Sequence, residues 1–281
     1  MTRVLLVVDV KNQVYKATAT HLGLFHKRTF TGGVFGVMSA LFRAIIVAQA
    51  THVVFATDAP PYVRKAFFDG YKSTRKKDPD DDLVKKVGAT IPLLRSFLDR
   101  MSIPHWELQG FEYDDLAAHA VLQYGHRFDR VVAMTNDSDL YQLFDEHPEF
   151  AVYKGKGELY TRADFDKEFP GVTKEHWIRM LCLQGTHNEV PGIAGVGPVN
   201  ARKAAFDRRV WARYVFDHAD IIHRNRRLIE LPHHEFPQQA SFRVRAHDTI
   251  DVRDLVLFCG ELDIKLQRDW VIAVKQLQQA K

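Results

Sequence analysis

Residues 110–117 have the sequence Gly-Phe-Glu-Tyr-Asp-Asp-Leu-Ala, which places the carboxylates of Glu112, Asp114 and Asp115 within four residues. An apolar run that predicts a helix begins directly after them. Carboxylates this close together repel one another and raise one another's pKa unless a cation lies among them. The stretch therefore calls for a positive counter-charge at the start of this helix.

Outward from this stretch, three short apolar, β-branched runs each end close to aspartate. They are residues 4–8 with Asp9, residues 52–56 with Asp58, and residues 130–135 with Asp137 and Asp139. Such continuous runs are typical of strands that are buried on both faces of a parallel sheet. Because helical stretches separate the runs, we predict an α/β fold with a mostly parallel central sheet flanked by helices. The aspartates would meet at the carboxyl edge, where open α/β sheets bind ligands.

The number of acids exceeds what helix capping requires. A single aspartate before a helix is usually an N-cap, but one carboxylate per helix is enough. Hard oxygen ligands with almost no nearby His or Cys favour Mg²⁺ or Mn²⁺ over Zn²⁺. Two such ions about 4 Å apart would stabilise the attacking hydroxide and the leaving oxygen of phosphodiester hydrolysis. The candidate metal ligands are Asp9, Asp58, Glu112, Asp114, Asp115, Asp137 and Asp139.

A basic, aromatic segment at residues 64–77 lies between the second strand and the acidic stretch. Lys72, with Arg64 or Arg75, could stabilise the negative charge of the transition state. Tyr71 could stack on a terminal base, as sequence-independent binding of single strands requires. For Lys72 and Arg75 the alternative is an ordinary solvated surface.

A helical stretch at residues 83–101 follows the basic segment and contains Pro92. The proline predicts a kink, or a junction between two shorter helices.

Residues 191–203 form a glycine-punctuated turn that ends in two cations. Gly192, Gly195 and Gly197 are followed by Arg202 and Lys203. Turns of this kind present consecutive backbone N–H groups to an anion, so we predict a phosphate-binding element. A plain glycine-rich turn between two helices is the alternative.

The chain has 281 residues and a formal net charge of +4, with its Lys and Arg residues in clusters that suit a polyanion. Its two cysteines lie far apart in apolar surroundings, which indicates buried thiols in a reducing compartment. The N-terminal apolar run is too short for a signal peptide, and no segment is long enough to span a bilayer. We therefore expect a cytoplasmic monomer that does not associate with membranes.

These motifs resemble the flap endonuclease and 5′-to-3′ exonuclease family, which includes bacteriophage 5′-nucleases and the nuclease domain of bacterial DNA polymerase I. The resemblance covers about residues 4–205. Asp58 followed by Arg64 and by Gly-Tyr71-Lys72-x-x-Arg75 is similar to the second metal aspartate and the arch-base motif of the family. Gly110-x-Glu112-x-Asp114-Asp115, Thr135-x-Asp137-x-Asp139, the segment Thr-Gly-Gly-Val-Phe-Gly at residues 31–36 and Gly192-x-x-Gly195-Val-Gly197 also match family motifs.

The resemblance implies a PIN-like nuclease core over residues 1–170, with a helical arch at about residues 72–101. It also implies a helical region over residues 171–281. A helix-hairpin-helix element, also called helix-three-turn-helix, would span residues 173–205 and bind duplex phosphates through a K⁺ ion. Lys76 would join the DNA contacts. The expected activity is Mg²⁺-dependent cleavage of DNA at 5′ flaps and 5′ ends, with Mn²⁺ as a substitute.

The sequence departs from the family pattern in two places. Val10, Lys11 and Asn12 follow the first aspartate, where the family has small residues. Before Pro191, where the family carries two aspartates for a second metal ion, the corresponding places fall on Gly185 or Thr186 and on Asn188. We therefore predict an occupied first metal site, with Asp114 acting through water, and a weak second site completed by His187, Asn188, Glu189 or substrate phosphate.

Two other functions are compatible with these residues. A branched-DNA-binding protein with attenuated catalysis would fit the depleted second site. A PIN-type ribonuclease would share the acidic core but would need neither the arch motif nor the phosphate-binding hairpin.

Overall fold

The apolar run of residues 4–8 forms the middle of the central sheet. The computed structural model describes residues 2–73, 78–186, 190–245 and 250–279. Its six-stranded sheet has the order β5-β4-β1-β6-β7-β8. The strands are β1 (Val4–Asp9), β4 (His52–Thr57), β5 (His105–Glu107), β6 (Arg130–Met134), β7 (Phe150–Tyr153) and β8 (Leu159–Thr161), while β2 (Phe25–His26) and β3 (Thr29–Phe30) form a separate hairpin.

All neighbouring strands of the central sheet are parallel except β7 and β8. The predicted mostly parallel sheet is therefore confirmed. Val8 is aligned with Phe55 of β4 on one side and with Met134 of β6 on the other. This register brings the carboxyl ends of the three strands together at one edge. The chain runs outward from β1 in opposite directions to β4 and β6, and such a switch point opens a crevice for ligands.

Alternate residues of β1 are buried in two different hydrophobic clusters. Leu5 and Val7 belong to the cluster on one face of the sheet, and Leu6 and Val8 belong to the cluster on the other. Side chains alternate between faces along a strand, so a strand covered on both sides must be apolar throughout. Helices supply both coverings.

Twelve helices are seen in the described ranges. They are α1 (Val10–Thr20), α2 (Gly32–Ala48), α3 (Val63–Phe67), α4 (Asp82–Arg100), α5 (Tyr113–His119), α6 (Arg162–Glu168), α7 (Lys174–Gln184), α8 (Pro198–Phe206), α9 (Arg208–Asp217), α10 (Ala219–Ile229), α11 (Val252–Glu261) and α12 (Arg268–Gln278). A π-helical turn, Ala120–Tyr124, continues α5, and 3₁₀ turns occupy Gly125–Arg127 and Asp139–Asp145. Helices α1, α2, α4, α11 and α12 contribute to one cluster, and α5, α7, α8 and α10 to the other. The helices after residue 170 therefore pack against both sides of the sheet.

Helix α4 is one continuous helix that contains Pro92. The alternative of two shorter helices is therefore wrong. Leu94, Phe97 and Leu98 are buried in the same cluster as α1 and α2. The C-terminal half of the predicted arch therefore belongs to the core, which limits any freestanding clamp to residues before about Thr90.

Both cysteines, Cys182 and Cys259, are buried free thiols, and burial raises the pKa of each. In the part of the chain that the structure describes, no helix is both long and apolar enough to cross a lipid bilayer.

Candidate active site

Asp9 lies at the carboxyl end of the central strand and also starts the next helix. Its Oδ1 accepts a hydrogen bond from the Asn12 N–H (2.9 Å), which caps α1. Its Oδ2 accepts a hydrogen bond from the Thr135 hydroxyl at the end of β6 (3.0 Å). Two residues further on, Asp137 Oδ1 accepts from the Asp139 N–H (2.9 Å). The strand ends thus place these aspartates side by side.

The acidic stretch at residues 112–115 forms the N-terminus of α5 and docks on the same edge. Glu112 is the N-cap, and Asp115 completes a capping box with it. The Tyr113 N–H donates to Oδ1 of Asp58, which follows β4 (2.9 Å). This bond fixes the start of α5 to the end of β4, so the acids of three strands and one helix face a common crevice.

Two adjoining cavities share Asp9 and Asp137. The smaller, of about 270 Å³, is lined by carboxylates together with three lysines; these residues include Asp9, Asp58, Glu112, Asp114, Asp137, Lys11, Lys16 and Lys72. The larger, of about 720 Å³, also contains Asp139 and reaches Gln184, Gly185 and Thr186 on its opposite wall. The structure therefore brings six of the seven predicted metal ligands to one region.

Burial and mutual repulsion disfavour the charged forms of several of these acids. Burial, with the charges of Asp58 and Asp137, raises the pKa of Asp9 to about 7. Burial and Asp137 raise the pKa of Asp139 to about 8. The pKa of Asp114 lies well above its usual value because it is buried beside Asp137 and Asp9. The site thus holds an excess of negative charge that a cation would relieve.

Two lysines already neutralise part of this charge. The Lys72 ammonium pairs with Glu112 Oε1, and the Lys11 ammonium lies 2.7 Å from Asp58 Oδ2. Burial alone would raise the pKa of Asp58, but Lys11 outweighs it and lowers the pKa below the ordinary value. Burial would likewise lower the pKa of Lys72, but Glu112 raises it overall. Lys72 also has a left-handed backbone (φ 53°), a strained conformation of the kind that is enriched at functional sites.

Arg64 and Asp115 pair with each other beneath the acidic cavity. Arg64 is 2% exposed, Asp115 is fully buried, and two guanidinium N–H groups donate to the two Asp115 oxygens at 2.5 and 2.8 Å. The Arg64 Nε–H donates to the Leu228 carbonyl (2.8 Å), and the His233 N–H donates to Asp115 Oδ1 (2.8 Å). Although burial alone would raise it, the Arg64 charge holds the pKa of Asp115 below its ordinary value. In this arrangement the two side chains neutralise each other and neither lines the acidic cavity, while their predicted roles at the transition state and at a metal ion stay predictions.

Tyr71 is mostly buried in the core, with 5% of the residue exposed, and it lines the cavity of about 420 Å³ next to Lys72. Its hydroxyl donates to Glu112 Oε2 (2.7 Å), while Lys72 pairs with Oε1, so the two residues hold the two oxygens of Glu112. Stacking of Tyr71 on a base stays a prediction.

Several predicted residues lie outside the described ranges. They are Arg75 and Lys76 of the basic segment, and His187, Asn188 and Glu189 as replacement ligands for a second metal ion. Their assignments stay predictions.

The glycine-rich turn connects α7 to α8. Gly185 pairs with Pro191 in a short antiparallel bridge, and Gly197 caps α8, with Pro198 as its first residue. Lys203 is exposed on α8, and Arg202 donates to the Pro170 carbonyl (3.2 Å). The phosphate-binding role of this turn stays a prediction.

Gly192 is required by close packing of the main chain. A Cβ atom there would lie 2.3 Å from the carbonyl carbon of Gln184. We expect Gly192→Ala to lower the free energy of unfolding by about 1–3 kcal/mol or more, because backbone cannot move aside as a side chain can. The shift of the urea unfolding midpoint would measure this effect. Gly260→Ala is the control, since nothing lies within 4 Å of a Cβ there. Equal stability of the Gly192 variant and wild type would contradict the packing argument.

Sequence reasoning missed Lys11 and Thr135 as parts of the site. Lys11 was visible as an unusual cation two positions after the first aspartate. Thr135 was visible as the first residue of the Thr135-x-Asp137-x-Asp139 motif, but its bond to Asp9 spans 126 positions and has no local signature.

No three or more His, Cys, Asp or Glu side chains among the described residues form, as they stand, a group that could hold a metal ion. The donor set nevertheless fits a hard divalent cation, because it consists of carboxylate oxygens whose repulsion raises their pKa values. Asp58 and Glu112 are paired with lysines in this arrangement.

Comparison with known proteins agrees with this geometry. Residues 4–170 match the model of the family described as "5′-3′ exonuclease, N-terminal resolvase-like domain". A 5′-3′ exonuclease of Aquifex aeolicus is 30% identical over 202 residues, which are 71% of this chain and 68% of the relative. DNA polymerase I of Deinococcus radiodurans is 30% identical over 180 residues, which are 63% of this chain but only 18% of the polymerase.

Two solved structures share the fold. The T5 5′-exonuclease with bound zinc has a TM-score of 0.64 at 15% identity, covering 99% of this chain and 100% of that one. Flap endonuclease-1 of Methanococcus jannaschii has a TM-score of 0.61 at 14% identity, covering 98% and 92%. The predicted PIN-like fold is therefore confirmed. By its sequence match over more than half its length, the chain belongs to the 5′-3′ exonuclease family, in its N-terminal resolvase-like domain.

Proposed function

We propose that this protein is a structure-specific 5′-nuclease that hydrolyses DNA phosphodiesters at 5′ flaps and 5′ ends with divalent metal ions. The observation that carries the proposal is the cavity where Asp9, Asp58, Glu112, Asp114 and Asp137 converge beside Lys72. A surplus of buried carboxylates with raised pKa values is costly for the fold, so it indicates a functional site.

Mg²⁺ is the ion that we assign to this site, with Mn²⁺ as a substitute. Asp9, Asp58, Glu112, Asp114 and Asp137 would hold it. When bound, the ion would lower the pKa of a water and neutralise charge on the phosphate oxygens. The protein's own contribution is to hold these acids rigidly through the capping bonds of α1 and α5.

Lys72 is the residue that we assign to the phosphate. Its ammonium is held in the cavity by Glu112, and its side chain is mostly buried, so its charge is poorly screened by water. A donor fixed in such a place can stabilise negative charge that develops on a phosphate oxygen. Arg64 contributes indirectly, because it anchors Asp115 and hence the first turn of α5.

For DNA binding we assign the residues after the catalytic part. We place the catalytic part in residues 1–170 and a duplex-binding helix-hairpin-helix in residues 173–205, with K⁺ in its turn. Gly195 has φ +80° and Lys203 is exposed, which suits a turn and a helix that approach a phosphate backbone. The N-terminal part of α4 would form the arch.

The second metal site is expected to be weak. The cavity that contains Asp139 is bounded on the other side by Gln184, Gly185 and Thr186, none of which is a carboxylate. Neutral ligands bind a divalent cation less strongly than carboxylates do. This observation also supports an alternative, a branched-DNA-binding protein with attenuated catalysis.

One assay separates these functions from each other and from a PIN-type ribonuclease. A 5′-labelled flap duplex, a matched single strand and an RNA strand would each be incubated with Mg²⁺ and with EDTA. We expect Mg²⁺-dependent cleavage of the flap DNA. Binding without cleavage would favour the branched-DNA-binding protein, and preference for RNA would favour the ribonuclease.

Magnesium should stabilise the protein more at higher pH. The folded-state pKa values of Asp9 and Asp139 are about 7 and about 8, above the ordinary value, so the folded metal-free protein loses stability as pH rises toward about 8. Because a metal ion competes with protons for these oxygens, its binding strengthens over the same range. The Mg²⁺-induced rise in melting temperature should therefore be larger at about pH 8 than at about pH 6.

Differential scanning fluorimetry in EDTA and in Mg²⁺ at the two pH values measures this difference. A double variant, Asp9→Asn with Asp139→Asn, is the control and should show a smaller pH dependence, the remainder coming from Asp114, whose pKa is also raised by burial. A rise that does not depend on pH would mean that these two acids do not hold the ion.

A further inference from the structure

Lys11 places a positive charge inside the acidic site. It is the second residue of α1, two positions after the cap Asp9. Its ammonium lies 2.7 Å from Asp58 Oδ2, and the two side chains are 33% and 12% exposed. The first turn of α1 contains no acidic residue. A cation at a helix N-terminus is unfavourable toward the helix dipole, so the local sequence does not explain a lysine here.

The fold does not need Lys11 to hold Asp58 in place. Asp58 Oδ1 already accepts the Tyr113 N–H at 2.9 Å, which ties it to α5. The Tyr62 hydroxyl is a second, longer donor to Oδ2 at 3.4 Å. Without Lys11, Oδ2 would keep only the long Tyr62 contact, so the departure of the ammonium would make this oxygen available to a metal ion.

Lys11 also stands where two cavities meet. It lines the acidic cavity and a neighbouring cavity of about 420 Å³, which extends past Tyr62 to Val87 and Ile91 of α4. Lys72 is likewise shared by both cavities. A DNA strand that reached the acids from α4 would pass both of these lysines.

We propose that Lys11 is a displaceable counter-ion of Asp58 that becomes a phosphate-binding residue once Asp58 holds a metal ion. This inference rests on the proposed function. In the metal-free protein the ammonium neutralises Asp58 Oδ2. When that oxygen is taken by a divalent ion, the ammonium leaves it and donates to a phosphate oxygen of the DNA strand in the neighbouring cavity. The flexible lysine stem and its three donors suit such a change of partner.

The variant Lys11→Met removes the charge and keeps most of the side-chain length. Mg²⁺ affinity without DNA, measured by titration calorimetry, should become about two- to five-fold tighter, as expected when a partly exposed ion pair no longer competes. In steady-state cleavage of a 5′-flap duplex, KM should rise and the slope of log(kcat/KM) against log[salt] should become shallower by about one unit. Lys11→Arg keeps the charge and should retain the salt slope.

Lys275→Met is the matched control. Lys275 is exposed on α12, next to Gln276, which bonds the Ile45 and Ala50 carbonyls at the opposite end of the sheet. The Lys275→Met variant removes the same charge as Lys11→Met and should change neither the Mg²⁺ affinity nor the salt slope.

Each outcome decides the proposal. Tighter Mg²⁺ binding with a shallower salt slope supports it. Unchanged Mg²⁺ affinity with a lower melting temperature in EDTA would show that the ion pair is only structural and would overturn it. Tighter Mg²⁺ binding with an unchanged salt slope would refute the phosphate contact. If wild type bound no Mg²⁺ and cut no DNA, the proposed function itself would fail, which is a different result.

Discussion

Replacing Arg64 with methionine is expected to lower the free energy of unfolding by about 3–5 kcal/mol, because it leaves the buried Asp115 carboxylate without its charge partner. The guanidinium donates hydrogen bonds to Asp115 and to the Leu228 carbonyl, with donor–acceptor distances of 2.5 to 2.8 Å. Its loss would therefore release both the first turn of α5 and the end of α10. Denaturant unfolding followed by circular dichroism measures the effect.

The double variant Arg64→Met with Asp115→Leu tests the cause. It removes both charges together, so it should be clearly more stable than Arg64→Met alone. Arg130→Met is the surface control, because Arg130 and Glu149 are 36% and 58% exposed at 3.0 Å. Such an exposed pair contributes at most about 1 kcal/mol. If both single variants lost the same small amount of stability, Arg64 would not anchor the site.

This assignment changes what an Asp115 variant means. If Asp115 were a metal ligand, Asp115→Asn would lower Mg²⁺ affinity in a protein of normal stability. The structure instead predicts lower stability first, since the amide cannot match the charge of Arg64. Melting temperature in EDTA separates the two effects.

Asp114→Asn is expected to reduce Mg²⁺-dependent cleavage about 100-fold or more while stabilising the metal-free protein. The folded-state pKa of Asp114 is raised by burial and by the charges of Asp137 and Asp9. A raised carboxyl pKa means that ionisation opposes folding above the unfolded pKa, so the cost is present at neutral pH and vanishes in acid. Asparagine cannot ionise and avoids this cost.

Two measurements on one protein test this trade-off. Initial rates on the flap duplex should fall, and the melting temperature in EDTA at about pH 8 should rise above that of wild type, with the rise disappearing near about pH 4. Asp99→Asn, on the exposed side of α4, should change neither. Cleavage at the wild-type rate would show that Asp114 does not serve the reaction. A lower melting temperature would show that its charge is compensated within the fold.

Local sequence patterns were sufficient to predict the fold class. Three apolar runs that each end near an aspartate were sufficient to predict a mostly parallel sheet with acids at its carboxyl edge, because strand burial and side-chain alternation are properties of short segments. Pro92 was less informative. A continuous helix and two shorter helices were both compatible with this proline. In the structure the helix is continuous, and Leu94 and Phe97, which follow the proline, are buried in the core.

The sequence by itself determined which kinds of groups the site contains and the edge of the sheet at which they gather. Only the tertiary structure decided which groups face the crevice. Asp114 and Asp115 are consecutive in α5, and successive helix residues point about 100° apart, so the docking of α5 places Asp114 in the cavity and turns Asp115 toward Arg64. Arg64 lies 51 positions from Asp115, and Lys11 lies 47 from Asp58. Pairings this distant have no local signature, because the folded chain alone brings the partners together.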